Sequence, residues 1–135
     1  MPRVTGIGGC FFRVADPEKT RDWYQQHLGF NTDEYGTNFE WRQSSEPEKK
    51  GFSQWSPFKA ATDYFDGSFM MNYRVDDLEA LVTELKEKGV EIIDEIQSED
   101  YGKFVHIRDG DGQMVELWEP VDDVYDEMVG DGRTS

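Results

Sequence analysis

Hydrophobic and polar positions along the first half of the chain predict a strand, a helix and then three strands. The apolar segment Ile7–Val14 predicts the first strand. Asp16-Pro17 then begins a helix over residues 17–28, because Asp caps helix N-termini and Pro fits the first helical turn. One side of this helix carries Trp23, Tyr24, His27 and Leu28, and Gly29 ends it. Three strand candidates follow at about 30–34, 37–43 and 51–57.

The second half of the chain repeats this order. Phe69–Val75 predicts a strand, and Asp76 or Asp77 caps a second helix that Gly89 ends. The apolar positions of this helix have the spacing of one helical face, namely Leu78, Leu81, Val82 and Leu85. Strand candidates follow at 90–97, 101–108 and 113–119.

Sequence matches between the halves indicate a tandem duplication. Arg13-Val14 matches Arg74-Val75, 61 positions later, and Trp55-Ser56-Pro57 matches Trp118-Glu119-Pro120, 63 positions later. We therefore predict one α+β domain over residues 5–120, built from two tandem βαβββ modules at 5–58 and 68–120 with a linker at 59–67. Residues 121–135 are predicted to be an acidic, solvated C-terminal tail.

Composition excludes several kinds of partner. The 135 residues carry a net charge of −15, which disfavours nucleic acids and anionic membranes as partners. No apolar run approaches the roughly 18 residues of a membrane helix, and the N-terminal residues lack the apolar stretch of a signal peptide. Cys10 is the single cysteine, so no disulfide framework forms, and we expect a cytoplasmic protein.

Two local motifs resemble the vicinal-oxygen-chelate superfamily, which contains glyoxalases, bleomycin resistance proteins and extradiol dioxygenases. Residues 12–16 (FRVAD) and 22–30 (DWYQQHLGF) resemble its first strand and helix. Residues 108–117 (RDGDGQMVEL) resemble its closing hairpin, with Gly110 where Pro is usual. The resemblance implies that the two modules form a curved mixed sheet, a half-barrel with a cleft on its concave face, and it implies a homodimer.

The side chains that line this cleft follow from the strand period of two and, for Ser53 and Trp55, from the repeat between the modules. Glu116 on the last strand is expected to face it. The ligand-binding candidates are Phe11, Arg13, Ser53, Trp55, Met70, Asn72, Arg74, Met114 and Trp118. Rings with a few polar side chains are typical of a small-molecule pocket. The alternative is that these residues fill a closed core.

The resemblance also implies a metal site, whose four positions carry over to Gly9, Ser53, Met70 and Glu116. Only Glu116 is a good ligand for a catalytic divalent ion, which needs about three protein ligands. We therefore expect no cofactor, and a divalent metal remains the alternative. His106 lies on the strand before that of Glu116, and the two form a candidate catalytic acid–base pair.

The resulting hypothesis is a protein that binds a small organic molecule in the cleft without a complete metal site. The alternative is a lyase or dioxygenase of the same superfamily acting on a small carbonyl or aromatic substrate. Such an enzyme would depend on a metal or use His106 and Glu116 as acid and base. Whether the chain is an enzyme stays open at this point.

Overall fold

A computed structural model describes residues 2–135 and shows an α+β fold, as predicted. The chain forms eight strands and three helices. In order, they are β1 (Val4–Val14), α1 (Pro17–Leu28), β2 (Thr37–Gln43), β3 (Glu46–Lys59), β4 (Phe69–Val75), α2 (Leu78–Glu87), β5 (Gln97–Glu99), β6 (Gly102–Arg108), β7 (Met114–Pro120), α3 (Asp122–Val129) and β8 (Arg133–Thr134). None of the described helices has the length and apolar character to span a membrane.

One mixed sheet joins the two modules edge to edge. The strand order is β5-β6-β7-β4-β1-β3-β2-β8. The central pair β1 and β4 is antiparallel, and each of these strands pairs in parallel with the last strand of its own module, β3 or β7. The repeat in the sequence therefore corresponds to a repeat in topology, and the sheet curves into an open half-barrel.

Both predicted helix starts are confirmed. The Asp16 side chain accepts a hydrogen bond from the Lys19 backbone N–H, and Asp77 does the same for Ala80. Gly29 follows α1 with a φ of 73°, a left-handed conformation that glycine adopts without strain. Helix α2 buries Leu78 and Val82 against the back of the sheet.

Two predicted strands are largely absent from the structure. Residues 30–34 contribute only an isolated bridge between Asp33 and Gly36. Residues 90–97 contribute an isolated bridge between Ile92 and Ile107, and their last residue, Gln97, is the first of β5. These segments each connect a helix to the sheet. Residues 91–93 make two backbone hydrogen bonds to β6, from the Ile93 N–H to His106 and from the Arg108 N–H to Glu91. Their apolar residues pack by side chain instead: Ile92 and Ile96 join the cluster beneath α2.

The C-terminal residues pack against the sheet, which corrects the predicted solvated tail. Tyr125 of α3 is buried against Phe52 and Trp118, and its hydroxyl donates a 2.6 Å hydrogen bond to Asn38 Oδ1. The two residues of β8 pair with β2. The acidic charge that suggested an appendage is in part used in ion pairs, most clearly by Asp122 with Arg74.

Candidate functional site

A cavity of about 350 Å³ lies on the concave face of the sheet, between the two modules. Its floor is formed by side chains of the central strands, including Gln54 of β3, Asn72 of β4 and Glu116 of β7. Strands β7 and β4 are neighbours in the sheet, and β1 separates β4 from β3. Alternate residues on a strand face the cavity. The rest of the lining is mainly aromatic.

Glu116 is the centre of a buried hydrogen-bond network on this floor. Its side chain is only 1% exposed. Oε1 accepts a 2.6 Å hydrogen bond from Asn72 Nδ2, and Oε2 accepts one from the Tyr64 hydroxyl. His106 Nε2 lies 2.8 Å from the same Oε2. These three polar contacts hold Glu116 in one orientation and satisfy a polar group that is costly to bury alone.

His106 lies between two carboxylates. Its Nδ1 is 2.6 Å from Asp94 Oδ2, opposite the contact of Nε2 with Glu116. Asp94 Oδ1 also accepts a 2.7 Å hydrogen bond from the His106 backbone N–H. Burial lowers the pKa of His106, but the hydrogen bonds and charges of Glu116 and Asp94 outweigh burial, and the net pKa is raised.

This raised pKa predicts a specific dependence of stability on pH. A histidine whose pKa is higher in the folded state stabilises the protein fully below its unfolded value of about 6.5 and loses that contribution as pH rises through the folded value. We expect the free energy of unfolding to fall in that window above pH 6.5. Urea unfolding at several pH values checks this. His106→Gln should remove the dependence, whereas His27→Gln, at an exposed position on α1, should retain it.

Tyr64 reaches Glu116 from the segment between β3 and β4, residues 60–68. Burial raises the pKa of Tyr64, and the charge and hydrogen bond of Glu116 raise it further, so the phenol stays protonated and donates to the carboxylate. Its ring stacks on Phe58 with centroids 5.8 Å apart and meets the His106 ring edge-on. The residue remains 43% exposed, at the border between cavity and solvent.

Arg13 holds the segment that carries Tyr64. Its guanidinium donates 2.7 Å hydrogen bonds to the carbonyl oxygens of Ala60, Thr62 and Gly67, and a fourth hydrogen bond to that of Phe65. Arginine suits this role because its planar group presents five donors in a fixed arrangement. The side chain therefore holds the backbone on both sides of Tyr64, and it is not among the residues that line the cavity.

Replacing Arg13 by Lys should show this positioning role. Lysine has one donor group on a flexible stem, so most of the four hydrogen bonds are lost, and we expect the free energy of unfolding to fall by about 2 kcal/mol. Urea denaturation measures the change. Arg3→Lys, at an exposed position directly before β1, is the matched control and should leave stability unchanged. An equal effect of both substitutions would contradict the assignment.

The structure brings together five of the eleven residues predicted for the site. Phe11, Asn72, His106, Glu116 and Trp118 all line the cavity. The other six predicted residues lie outside it: Arg13, Ser53, Trp55, Met70, Arg74 and Met114. Met70 and Met114 lie on the predicted concave face but pack into the cluster of Phe11 and Phe65.

Two predicted cleft residues of β3 face other parts of the molecule. Trp55 packs against Tyr24 of α1, with ring centroids 4.6 Å apart, and Ser53 Oγ receives a hydrogen bond from Trp41. The alternation on β3 is therefore shifted by one residue from the prediction, and Gln54 and Ser56 face the cavity. The cause is the match of Trp55 to Trp118, 63 positions later, because Gln54 and Glu116, which both line the cavity, are 62 positions apart.

Arg74 has a structural role at the other end of the sheet. It is 2% exposed and forms two hydrogen bonds, of 2.8 and 2.7 Å, with the carboxylate of Asp122. The guanidinium also lies over the rings of Trp41 and Trp118, at 5.1 and 5.5 Å from their centroids. Its charge is thus neutralised by α3.

The donor set on the cavity floor does not fit the metal site that the sequence motifs imply. The cavity lining gives the four inward positions as Gly8, Gln54, Asn72 and Glu116, which replaces the predicted set of Gly9, Ser53, Met70 and Glu116. Of the two glycines at the β1 bulge, Gly8 is the one whose Cβ would point at Asn72. A Cβ atom on residue 8 would lie 2.0 Å from Asn72 Oδ1, so no side-chain ligand fits there.

Chemistry leads to the same conclusion. Gln54 and Asn72 offer neutral amides, and both oxygens of Glu116 already accept hydrogen bonds. No cluster of three His, Cys, Asp or Glu side chains suited to a metal occurs within residues 2–135. One carboxylate does not hold a catalytic divalent ion.

The interpretation of the sequence missed two members of the network, Tyr64 and Asp94. Tyr64 lies in the linker, where no periodicity predicts orientation, although the run Asp63-Tyr64-Phe65 was an aromatic signal in a polar segment. Asp94 lies in a segment predicted to be a strand, and its acidic neighbours suggested a solvated surface. Neither residue has a sequence pattern that identifies its partner.

Comparisons with solved structures find the same fold in enzymes of low sequence identity. Methylmalonyl-CoA epimerase from Mycobacterium tuberculosis is 20% identical, with 91% of this chain and 93% of that chain covered and a TM-score of 0.63. A variant of the Streptomyces coelicolor methylmalonyl-CoA epimerase, in complex with 2-nitronate-propionyl-CoA, is 15% identical, with 88% and 99% covered and a TM-score of 0.67.

A third structure, described as NAD-dependent benzaldehyde dehydrogenase from Legionella pneumophila, is 14% identical over 83% of this chain and 97% of that chain, with a TM-score of 0.54. At these identities the similarity concerns the fold alone. A search of curated proteins finds no significant match.

The sequence itself matches the family described as Glyoxalase/Bleomycin resistance protein/Dioxygenase superfamily over residues 6–117. This match covers both modules and ends at the strand that carries Glu116. The chain belongs to the Glyoxalase/Bleomycin resistance protein/Dioxygenase superfamily.

Proposed function

We propose that the protein binds a small organic molecule in the inter-module cavity, with the Glu116 network in place of the superfamily's metal centre. The observation that carries this proposal is the cavity itself. It is bordered by aromatic side chains and has a few fixed polar groups on its floor, a combination typical of small-molecule sites. A closed core would have left no such space above Glu116.

The ligand of the structural relatives does not transfer to this chain. Some of those proteins were solved with CoA esters, which carry several phosphate charges. Among the described residues that line this cavity there is no Lys or Arg, whereas Asp94, Glu99 and Glu116 are present. We therefore propose a ligand without phosphate groups.

Binding is tested by blocking the cavity. Gln54 lines it, and its side chain makes no hydrogen bond with the described residues, so Gln54→Trp fills space without removing a contact. Calorimetry against compounds selected in a thermal-shift screen of small ring compounds should show binding to the wild type and loss of at least about tenfold in affinity in the variant. Gln26→Trp, on the exposed face of α1, is the control and should bind normally. Equal binding by all three proteins would place the ligand elsewhere.

A second candidate function is proton transfer without a metal, and the contact between Glu116 and Tyr64 favours it. Glu116 can take a proton from the carbon next to a carbonyl group, while the Tyr64 hydroxyl donates a hydrogen bond to the carbonyl oxygen as it gains charge. His106 Nε2 lies 2.8 Å from the same carboxylate and helps to hold it in place. This function needs a ligand that displaces the bond between Tyr64 and Glu116.

Exchange of carbon-bound protons tests this second candidate. Phenylacetone in D₂O should lose its exchangeable protons faster with the wild type than without protein, as followed by NMR. Glu116→Gln should reduce the protein-dependent rate at least about a hundredfold, the typical contribution of a general base. No acceleration by the wild type, or an equal rate with the variant, would exclude this chemistry for such ketones and leave the binding function. A homodimer and a cytoplasmic location remain predictions from the sequence.

A further inference from the structure

The lining of the cavity is negatively charged. Three carboxylates border it, those of Asp94, Glu99 and Glu116. The basic side chain among the lining residues is His106, which already lies between Asp94 and Glu116. A protonated His106 neutralises one carboxylate and leaves the lining net negative. Glu99, on the exposed strand β5, pairs with no cation among the described residues.

Two stacked pairs of aromatic rings form walls of the cavity beside these carboxylates. In the first wall, Phe58 and Tyr64 stack nearly parallel, with an angle of 9° between their planes. In the second wall, Phe104 and Trp118 stack at 7°, with centroids 5.7 Å apart. Tyr101 joins the second wall, 5.5 Å from Phe104. The cavity lining thus combines aromatic rings with carboxylates.

Both features select the same kind of ligand. Cations are attracted to the faces of aromatic rings, and carboxylates attract them further when water is partly excluded. A flat ring system gains contact with the two walls by stacking. Carboxylate or phosphate ligands would instead meet like charge without a Lys or Arg in the lining to compensate.

From this juxtaposition of aromatic walls and a net negative lining, in which Glu99 has no cationic partner among the described residues, we infer that the ligand is a planar aromatic cation, such as a protonated or quaternary nitrogen heterocycle. The inference rests on the proposed binding function and specifies its ligand class. Glu99 is the residue that selects charge, because it borders the cavity while its carboxylate stays free of the Glu116 network.

Three ring compounds of nearly equal shape test the inference by calorimetry: N-methylquinolinium, 1-methylnaphthalene and 1-naphthoate. The cation should bind about tenfold or more tighter than the neutral compound, and the anion should bind weakest. Added salt should lower the affinity for the cation and leave the affinity for the neutral compound unchanged. Equal affinities, or tightest binding of the anion, would overturn the inference while leaving the pocket in place. Failure of all three compounds, and of a wider panel of neutral rings, would contradict the proposed function itself.

A pair of charge reversals locates the selectivity. Glu99→Lys should lower the affinity for N-methylquinolinium by about fivefold or more and raise that for 1-naphthoate. Glu95→Lys makes the same change of net charge at an exposed position outside the cavity and should change either affinity less than about twofold. Equal effects of the two substitutions would mean that the net charge of the protein, and not the cavity, selects the cation, and would overturn the role of Glu99.

Discussion

Glu116→Ala should lower the free energy of unfolding by about 3 kcal/mol, a large effect for the substitution of one buried residue. Removing the carboxylate leaves the Asn72 amide, the Tyr64 hydroxyl and His106 without their shared acceptor. Breaking a buried network on one side costs more than its net contribution, because the buried Asn72 amide and His106 Nε2 lose their partner. The same substitution should also abolish ligand binding, since it removes the floor of the cavity.

Urea denaturation followed by circular dichroism measures this loss. Glu95→Ala removes an equal charge from an exposed position and should change stability by less than about 0.5 kcal/mol. A loss below about 1 kcal/mol for Glu116→Ala would mean that water already satisfies these donors. In that case the network would not be the organising feature of the site.

Ending the chain at Pro120 should destabilise the protein by about 3 kcal/mol or more. The truncation removes Asp122 and leaves the buried guanidinium of Arg74 without a counter-charge, which is among the costliest changes a core can undergo. It also exposes Phe52 and Trp118, which Tyr125 covers. Thermal and urea unfolding of the truncated and full-length chains measure the difference.

Two neighbouring aspartates at the start of α3 provide the matched pair for this prediction. Asp122→Asn weakens the ion pair with Arg74 and should cost about 1 to 2 kcal/mol. Asp123→Asn changes the charge equally at an exposed residue without an ion pair in the described structure and should be nearly neutral. A truncated chain as stable as the full-length protein would restore the prediction of a solvated tail.

The second module could be predicted closely from sequence because its strands are regular. Alternation on β4 places Asn72 on the concave face, and alternation on β7 places Glu116 and Trp118 there, as predicted. Val115 and Leu117 face α2 on the other side. Because β4 and β7 pair in parallel without a bulge, a period of two assigns both faces correctly.

The first module illustrates where this reasoning fails. The register of β1 against β4 shifts between Ile7 and Gly9, so the inward position is Gly8 and not Gly9. Ser53 and Trp55 were assigned to the cleft because Trp55-Ser56-Pro57 matches Trp118-Glu119-Pro120, 63 positions later. The residues that line the cavity are Gln54 and Glu116, 62 positions apart, and an error of one residue exchanges the two faces of a strand. A Cβ atom on residue 9 would lie 2.5 Å from the Gln54 carbonyl oxygen, so the bulge needs a glycine there. The period of a strand does not encode this contact.

The remaining differences concern contacts between residues far apart in the sequence. Tyr64 meets Glu116 across 52 positions, and Tyr125 meets Asn38 across 87. Such pairs depend on how loops and the last helix close over the sheet, and one sequence contains no local pattern for them. The predicted pair of His106 and Glu116 was accessible because antiparallel strands joined by a short hairpin place these residues opposite each other.

The central claim is that a small organic molecule binds next to Glu116 without a divalent ion. Two-dimensional NMR of ¹⁵N-labelled protein, titrated in the presence of EDTA with a binding ring compound, tests it most directly. The account predicts saturable shifts of the backbone signals of Tyr64, His106 and Glu116, unchanged when zinc replaces EDTA and absent in Gln54→Trp. Shifts that occur only with zinc, or that map to residues outside the cavity, would contradict it.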